Sequence, residues 1–164
     1  MTLRNLWSQE LTTERSHQEL SRPLLVLKNT LLNPASETLL HLISLRASQI
    51  NGCAYCIDMH WKDLRAANET EQRLYGLDAW KESPYYTARE RGALAWTEAI
   101  TNIRETHAPD EVYKEIQNNF SEKEIADLTF AVAAINLWNR LAISMRSVPG
   151  RYQPRKSREL VKGA

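Results

Sequence analysis

Cys53 and Cys56 are the two cysteines of the chain, and His60 lies one helical turn beyond the second, in the run Cys53-Ala-Tyr-Cys56-Ile-Asp-Met-His60. A helix repeats every 3.6 residues, so positions i, i+3 and i+7 share a face, and the spacing gathers two thiols and a base on one stripe. Cysteines at i and i+3 in a first helical turn can reach the Cα separation of about 4.4–6.8 Å that a disulfide needs, so a dithiol/disulfide cycle is geometrically available. The nucleophile of such a cycle is the thiolate, and a free thiol is mostly protonated at neutral pH. Asn51-Gly52 stops the preceding helix and places the cysteines where unpaired backbone N–H groups favour negative charge. His60 adds a group that can accept the Cys56 proton.

The elements that must hold this stripe are helical. Apolar spacing follows the helical period nearly everywhere, and no run alternates with period two for long enough to suggest a strand. Residues 6–32 read as two helices broken at Ser21-Arg22-Pro23. Asn33-Pro34 offers an N-cap and a first-position proline for a helix through Leu39, Leu40, Ile43 and Ala47 to Ile50. The cysteine helix follows from about Cys53 to about Ala67, and Asn68 with Glu71 starts a short helix ending near Trp80. Thr87-Ala-Arg-Glu90 and Ser121-Glu-Lys-Glu124 have the form of capping boxes. The first opens a helix with Ala93, Trp96, Ile100 and Ile103 on one side; a shorter helix runs from Pro109 to near Phe120. The second opens a helix that is apolar nearly all round from Leu128 to Trp138, which suits the centre of a bundle or a contact between subunits.

The expected architecture is thus an all-α bundle in one domain: N-terminal helices over residues 1–34, a core over 35–150 and a basic tail over 151–164. The tail has little to bury and is expected either to dock on a neighbouring subunit or to pack on its own domain. Twenty-one basic against twenty acidic residues give a net charge of +1, which argues against nucleic acid and anionic membrane as partners. No apolar stretch reaches the roughly 20 residues that span a bilayer, and the first residues lack a signal-peptide core, so a soluble cytoplasmic protein is expected. Thiols are kept reduced in that compartment, which makes a cysteine pair catalytic or metal-binding sooner than structural.

Ser48-Gln-Ile-Asn-Gly-Cys53-Ala-Tyr-Cys56-Ile-Asp-Met-His60 resembles the core motif of the AhpD-like alkylhydroperoxidases, within the carboxymuconolactone decarboxylase superfamily. The likeness continues through Glu69-Thr-Glu-Gln-Arg-Leu74, Arg89-Glu-Arg-Gly-Ala-Leu-Ala-Trp-Thr-Glu98 and Ala133-Ala-Ile-Asn-Leu-Trp-Asn-Arg140, covering roughly residues 35–150. The resemblance implies an AhpD-like helical subunit that forms homo-oligomers, from dimers to hexamers, and reduces hydrogen peroxide or organic hydroperoxides in antioxidant defence. It makes Cys56 the peroxidatic thiol, Cys53 the resolving thiol and proton donor, and His60 the base. It implies a dithiol electron donor, such as a lipoyl protein, or exchange with a peroxiredoxin. No organic cofactor is expected. The decarboxylases that give the superfamily its name lack the cysteine pair, so the motif argues against their reaction.

The chain departs from the family pattern at His41, where a glutamate twelve residues before the first cysteine normally feeds the histidine. If the two helices fold back antiparallel around Gly52, residue 44 lies level with His60, and His41 is three residues from that level, about 4.5 Å. His41 is therefore expected to contact His60 directly or through a water. A neutral imidazole can orient His60 but supplies no counter-charge, so a higher Cys56 pKa and a weaker peroxidase than with a glutamate are expected. Glu37 and Asp58 are the candidate carboxylates to compensate. The alternatives from other classes are a zinc site built from His41, Cys53, Cys56 and His60, which are the ligand types of structural zinc, and a catalytically weakened oligomeric binding protein.

Overall fold

The computed structural model describes residues 34–154 of the chain. The two helices expected within residues 6–32 and most of the tail lie outside the described residues. Helix α1 spans Pro34–Asn51, α2 Ala54–Ala66 and α3 Glu71–Tyr75, followed by one 3-10 turn at Leu77–Ala79. Then come α4 (Ala88–Thr101), α5 (Ile103–Thr106), α6 (Asp110–Gln117) and α7 (Glu122–Ser144). No strand occurs among the described residues, and the fold is the expected all-α one.

Both capping boxes form. Thr87 and Ser121 accept from the backbone N–H of Glu90 and Glu124, whose carboxylates return the bond to the cap residues. The Asn68 start needs correction: Thr70 caps α3, while Asn68 holds φ +65° just past the end of α2. The helix expected to reach Trp80 also stops at Tyr75, and the 3-10 turn carries the chain on.

α1 packs against α2, α4 and α7, which makes it the central helix of the described part. Leu39 and Ile43 of α1 meet Ala93 and Trp96 of α4 and Leu128 and Val132 of α7 in one apolar cluster. Leu42 and Leu45 face Leu64, Leu74, Leu77 and Trp80 in a second cluster. Arg46 of α1 donates through Nε and Nη2 to Glu98 Oε1 (2.9 and 2.8 Å), and the Trp80 indole donates to the same oxygen (2.8 Å), so α1, α4 and the 3-10 turn share one charged anchor. α7 buries Ile125, Leu128, Val132 and Ile135 but turns Phe130 and Leu137 outward.

The first residues of the tail fold back on their own domain. Lys62 donates to the carbonyls of Gly150 and Tyr152 (3.2 Å each), and Asp58 accepts from the Gly150 N–H (3.0 Å). Of the two docking modes expected for the tail, this segment takes the second, because α2 offers a complementary ion pair to the exposed backbone of the turn.

Candidate active site

The turn between α1 and α2 aims the thiols. Gly52 adopts φ +68°, and the N–H groups of Gly52 and Cys53 bond to the carbonyls of Gln49 (3.1 Å) and Ser48 (3.0 Å). This pair of bonds is a Schellman closure, in which a left-handed residue satisfies the last carbonyls of a helix; glycine takes that conformation without a Cβ penalty. Cys53 then serves at once as the residue past α1 and as the N-cap of α2, its Sγ accepting from the Cys56 N–H (3.3 Å). Both cysteines are free thiols, both are buried, and they pack with Ala47 and Ile135.

An amide network closes over them. Asn51 Nδ2 donates to Asn136 Oδ1 (2.9 Å) and Asn139 Oδ1 (2.8 Å). Because Asn139 Oδ1 is thereby an acceptor, its Nδ2 faces the other way, donating to Ser48 Oγ (3.0 Å) and hydrogen-bonding the Cys56 sulfur. Ser48 Oγ donates to the Ser44 carbonyl (2.7 Å), and Asn136 Nδ2 donates to Thr101 Oγ1 (3.1 Å). Every polar partner in this buried layer is satisfied in a way that leaves an amide donor at the thiol.

One turn further along α2, His60 Nδ1 lies 3.3 Å from His41 Nδ1, with the rings tilted by 51°. The antiparallel register around Gly52 brings them into direct contact. His60 Nε2 is buried with no hydrogen-bond partner. His41 Nδ1 is also 3.6 Å from Asp63 Oδ2, and its Nε2 is 3.9 Å from Glu37 Oε1. Asp63 Oδ1 accepts from the Tyr152 hydroxyl (2.7 Å). Of the two carboxylates put forward to compensate for the missing glutamate, Glu37 sits at the rim, whereas Asp58 is turned to Lys62 (2.8 Å) and the Gly150 N–H. Those bonds, that from Lys62 first, hold the Asp58 carboxyl below its ordinary range.

The zinc set His41, Cys53, Cys56 and His60 needs the same correction. Among the described residues, the group whose ligand atoms all lie within 4.8 Å of one another is His41, His60 and Asp63, without either cysteine. Cys53 and Cys56 pack with Ile135 of α7, whereas Asp63, beside His41, is bonded by Tyr152.

A model of the carboxymuconolactone decarboxylase family matches residues 26–99, a span holding His41, Cys53, Cys56, His60 and Asp63. The uncharacterized protein YdfG of Bacillus subtilis strain 168 is 43% identical over 118 residues, which are 72% of this chain and 80% of YdfG. The chain belongs to the carboxymuconolactone decarboxylase family. Among solved structures, ATU0492 of Agrobacterium tumefaciens, a protein of unknown function suggested to be the antioxidant-defence protein AhpD, shares 38% identity. It superposes with a TM-score of 0.78 over 85% of this chain and 94% of its own. An uncharacterized peroxidase-related protein of Silicibacter sp. TM1040 shares the fold at 21% identity, with a TM-score of 0.67 over 77% of this chain and 68% of its own.

In this member of the carboxymuconolactone decarboxylase family burial opposes charge on both the Cys56 thiol and the His60 imidazole. The first-turn position and the nearby imidazole were expected to lower the Cys56 pKa. Burial instead pushes the thiol up to about 12; the Cys53 thiol adds to the rise, and the Asn139 amide opposes it. His60 moves the opposite way, to about 3, because burial disfavours the imidazolium and His41 adds repulsion. Removing an anion and a cation from water costs more here than their local partners return. The residues that sequence reasoning passed over are Asn139, Asp63 and Tyr152. Asp63 stands three residues after His60, on the same helical face, and that spacing was a usable signal. Nothing local distinguishes Asn139 from the other polar residues of α7.

Proposed function

We propose that the protein is a thiol peroxidase that reduces hydrogen peroxide or an organic hydroperoxide through Cys53 and Cys56. The observation that carries this reading is a free, buried thiol pair with an amide donor at Cys56 and an unpartnered imidazole nitrogen one turn along the same helix. In the proposed cycle Cys56 gives its proton to His60 Nε2, and His60 Nδ1–H passes a proton to His41 Nδ1. The His41 imidazolium then lies between Asp63 and Glu37, which supply the negative charge that a glutamate at position 41 would have supplied.

The thiolate attacks the outer oxygen of the peroxide, the O–O bond breaks, and Cys56 becomes a sulfenic acid. The departing alkoxide takes the Cys53 proton and leaves as an alcohol. Cys53 attacks the Cys56 sulfur, and the hydroxide takes the proton stored on the histidines and leaves as water. Two thiols and one peroxide thus yield one disulfide, one alcohol and one water. A dithiol donor, of the lipoyl class or another thiol, returns the pair to its reduced form by exchange. We place homo-oligomer formation on the α7 face that exposes Phe130 and Leu137.

The test is peroxide-driven turnover with a dithiol donor, comparing wild type with Cys56→Ser and Cys53→Ser, with mass analysis of the product. Turnover lost in both variants, with a 53–56 disulfide in the wild type, is the expected result. Turnover that survives Cys56→Ser would sink the reading.

A further inference from the structure

We propose that His41, His60 and Asp63 form a binding site for a divalent transition cation of the zinc type, and that filling it switches off the thiol site. The ligand atoms are two imidazole nitrogens and a carboxylate oxygen, all within 4.8 Å of one another. That is the two-histidine, one-carboxylate set of open zinc sites, which leave a fourth position for water. Two of the three spacings already suit the ion. At metal–ligand distances of about 2.1 Å, the nitrogens at 3.3 Å subtend about 104° and the His41 nitrogen and Asp63 oxygen at 3.6 Å about 120°, both near the tetrahedral angle.

The surroundings are built as supports for such ligands. Tyr152 holds Asp63 Oδ1 at 2.7 Å and leaves Oδ2, the oxygen beside His41, as the coordinating atom. Glu37 stands at 3.9 Å from His41 Nε2, the nitrogen that must carry a proton once Nδ1 is ligated. The histidine pair is held on two helices locked by the Gly52 turn, so little ordering remains for binding to demand. The side chains of His41 and Asp63 are 18% and 14% exposed, which keeps a path from solvent.

The regulatory half of the proposal rests on the peroxidase reading; the binding half does not. A cation on His60 Nδ1 places the ring proton on Nε2. His60 can then no longer take the Cys56 proton, and the thiol stays protonated in its buried position.

Binding is tested first in the Cys53→Ser/Cys56→Ser double variant, with Co²⁺ as the probe and Zn²⁺ as competitor. The expected result is saturable binding of one equivalent with tetrahedral d–d absorption and no thiolate charge-transfer band. Adding His41→Ala or Asp63→Asn should abolish saturation in protein that still melts cooperatively, and Tyr152→Phe should weaken affinity about tenfold. No saturable binding in the double-serine protein, or binding indifferent to both ligand substitutions, overturns the site.

The switch is tested in the wild type by single-turnover disulfide formation with hydrogen peroxide and no dithiol present. One equivalent of Zn²⁺ should slow the step at least about tenfold, as loss of a general base does. A chelator should restore the rate. Asp63→Asn should show no zinc effect relative to its own metal-free rate. Stoichiometric binding without slowing overturns the switch, and a wild type that forms no disulfide with or without zinc overturns the peroxidase reading while leaving the binding result intact.

Discussion

Asn51 Nδ2 lies 2.8 Å from Asn139 Oδ1, and this bond decides which end of the Asn139 amide meets the thiol. One helix end thereby sets the polarity of a residue on α7, and a donor, instead of an acceptor, is presented to Cys56. Asn139→Asp keeps the volume and reverses that polarity. A second anion beside the sulfur disfavours the thiolate, so peroxide-driven disulfide formation should slow by tenfold or more, about one pKa unit. Stopped-flow measurement of the single turnover would decide it; an unchanged rate would mean the amide does not act on the sulfur.

Asn139→Ala asks about stability. Asn139 is fully buried, and its loss removes an acceptor from Asn51 Nδ2, which keeps Asn136 Oδ1 and the Ala47 carbonyl, and a donor from Ser48 Oγ. A cost of about 2–3 kcal/mol is expected, the usual penalty for leaving buried polar groups unmet. Urea unfolding of the variant beside the wild type measures it.

Gly52→Ala isolates the turn. A Cβ at this position meets nothing within 4 Å, so the cost comes only from the left-handed backbone at φ +68°. A destabilisation of about 1–2 kcal/mol is expected without loss of fold. A larger loss in urea unfolding would mean that the Schellman closure carries more than backbone strain.

The ionisation of His60 and Cys56 bounds stability on both sides of neutrality. His60 is held down to about 3 in the folded chain. Below its ordinary value near 6.5 the unfolded chain binds the proton and the native one does not, so stability falls as pH drops from 6.5 toward 3, by up to ~1.4 kcal/mol per pH unit. Cys56 is pushed up to about 12 from 9.0. Between those values the native chain keeps the proton and the unfolded one loses it, so stability falls again as pH rises above 9. Unfolding free energies at pH 4.5, 7.5 and 10 should trace this dome, with His60→Gln flattening the acid limb and Cys56→Ser the alkaline one. Disulfide formation should meanwhile accelerate from pH 6 to 9 as the thiolate becomes easier to form.

His41→Glu puts the family's glutamate back, but it also sets a carboxylate where His41 Nδ1 now stands, 3.6 Å from Asp63 Oδ2. Two like charges raise each other's pKa. The paired change His41→Glu/Asp63→Asn should therefore outpace His41→Glu alone by about tenfold in single-turnover disulfide formation, a difference of one pKa unit. Equal rates for the two variants would remove any part for Asp63 in the proton path.

Much of this arrangement follows from local chemistry that the amino-acid sequence states outright. Asn51-Gly52 stops α1 because only a residue tolerant of positive φ closes a Schellman turn. Cys53, Cys56 and His60 then share a face because the helix that follows has a 3.6-residue repeat, and Thr87 and Ser121 start their helices because an acceptor three residues before a glutamate satisfies two orphan N–H groups. The contact of His41 with His60 was legible on the condition that the two helices fold back antiparallel around Gly52, and the rings do meet. What tertiary structure decided are the quantities that depend on residues far apart in the chain. Asn139 stands 83 positions beyond Cys56 and meets it only because α7 packs on α1 and α2. Asp58 is held by the Gly150 N–H, 92 positions further along the chain, a contact that only the fold makes. Burial raises the thiol and depresses the imidazole, and burial is set by everything that surrounds a group; no spacing of residues along a chain records it.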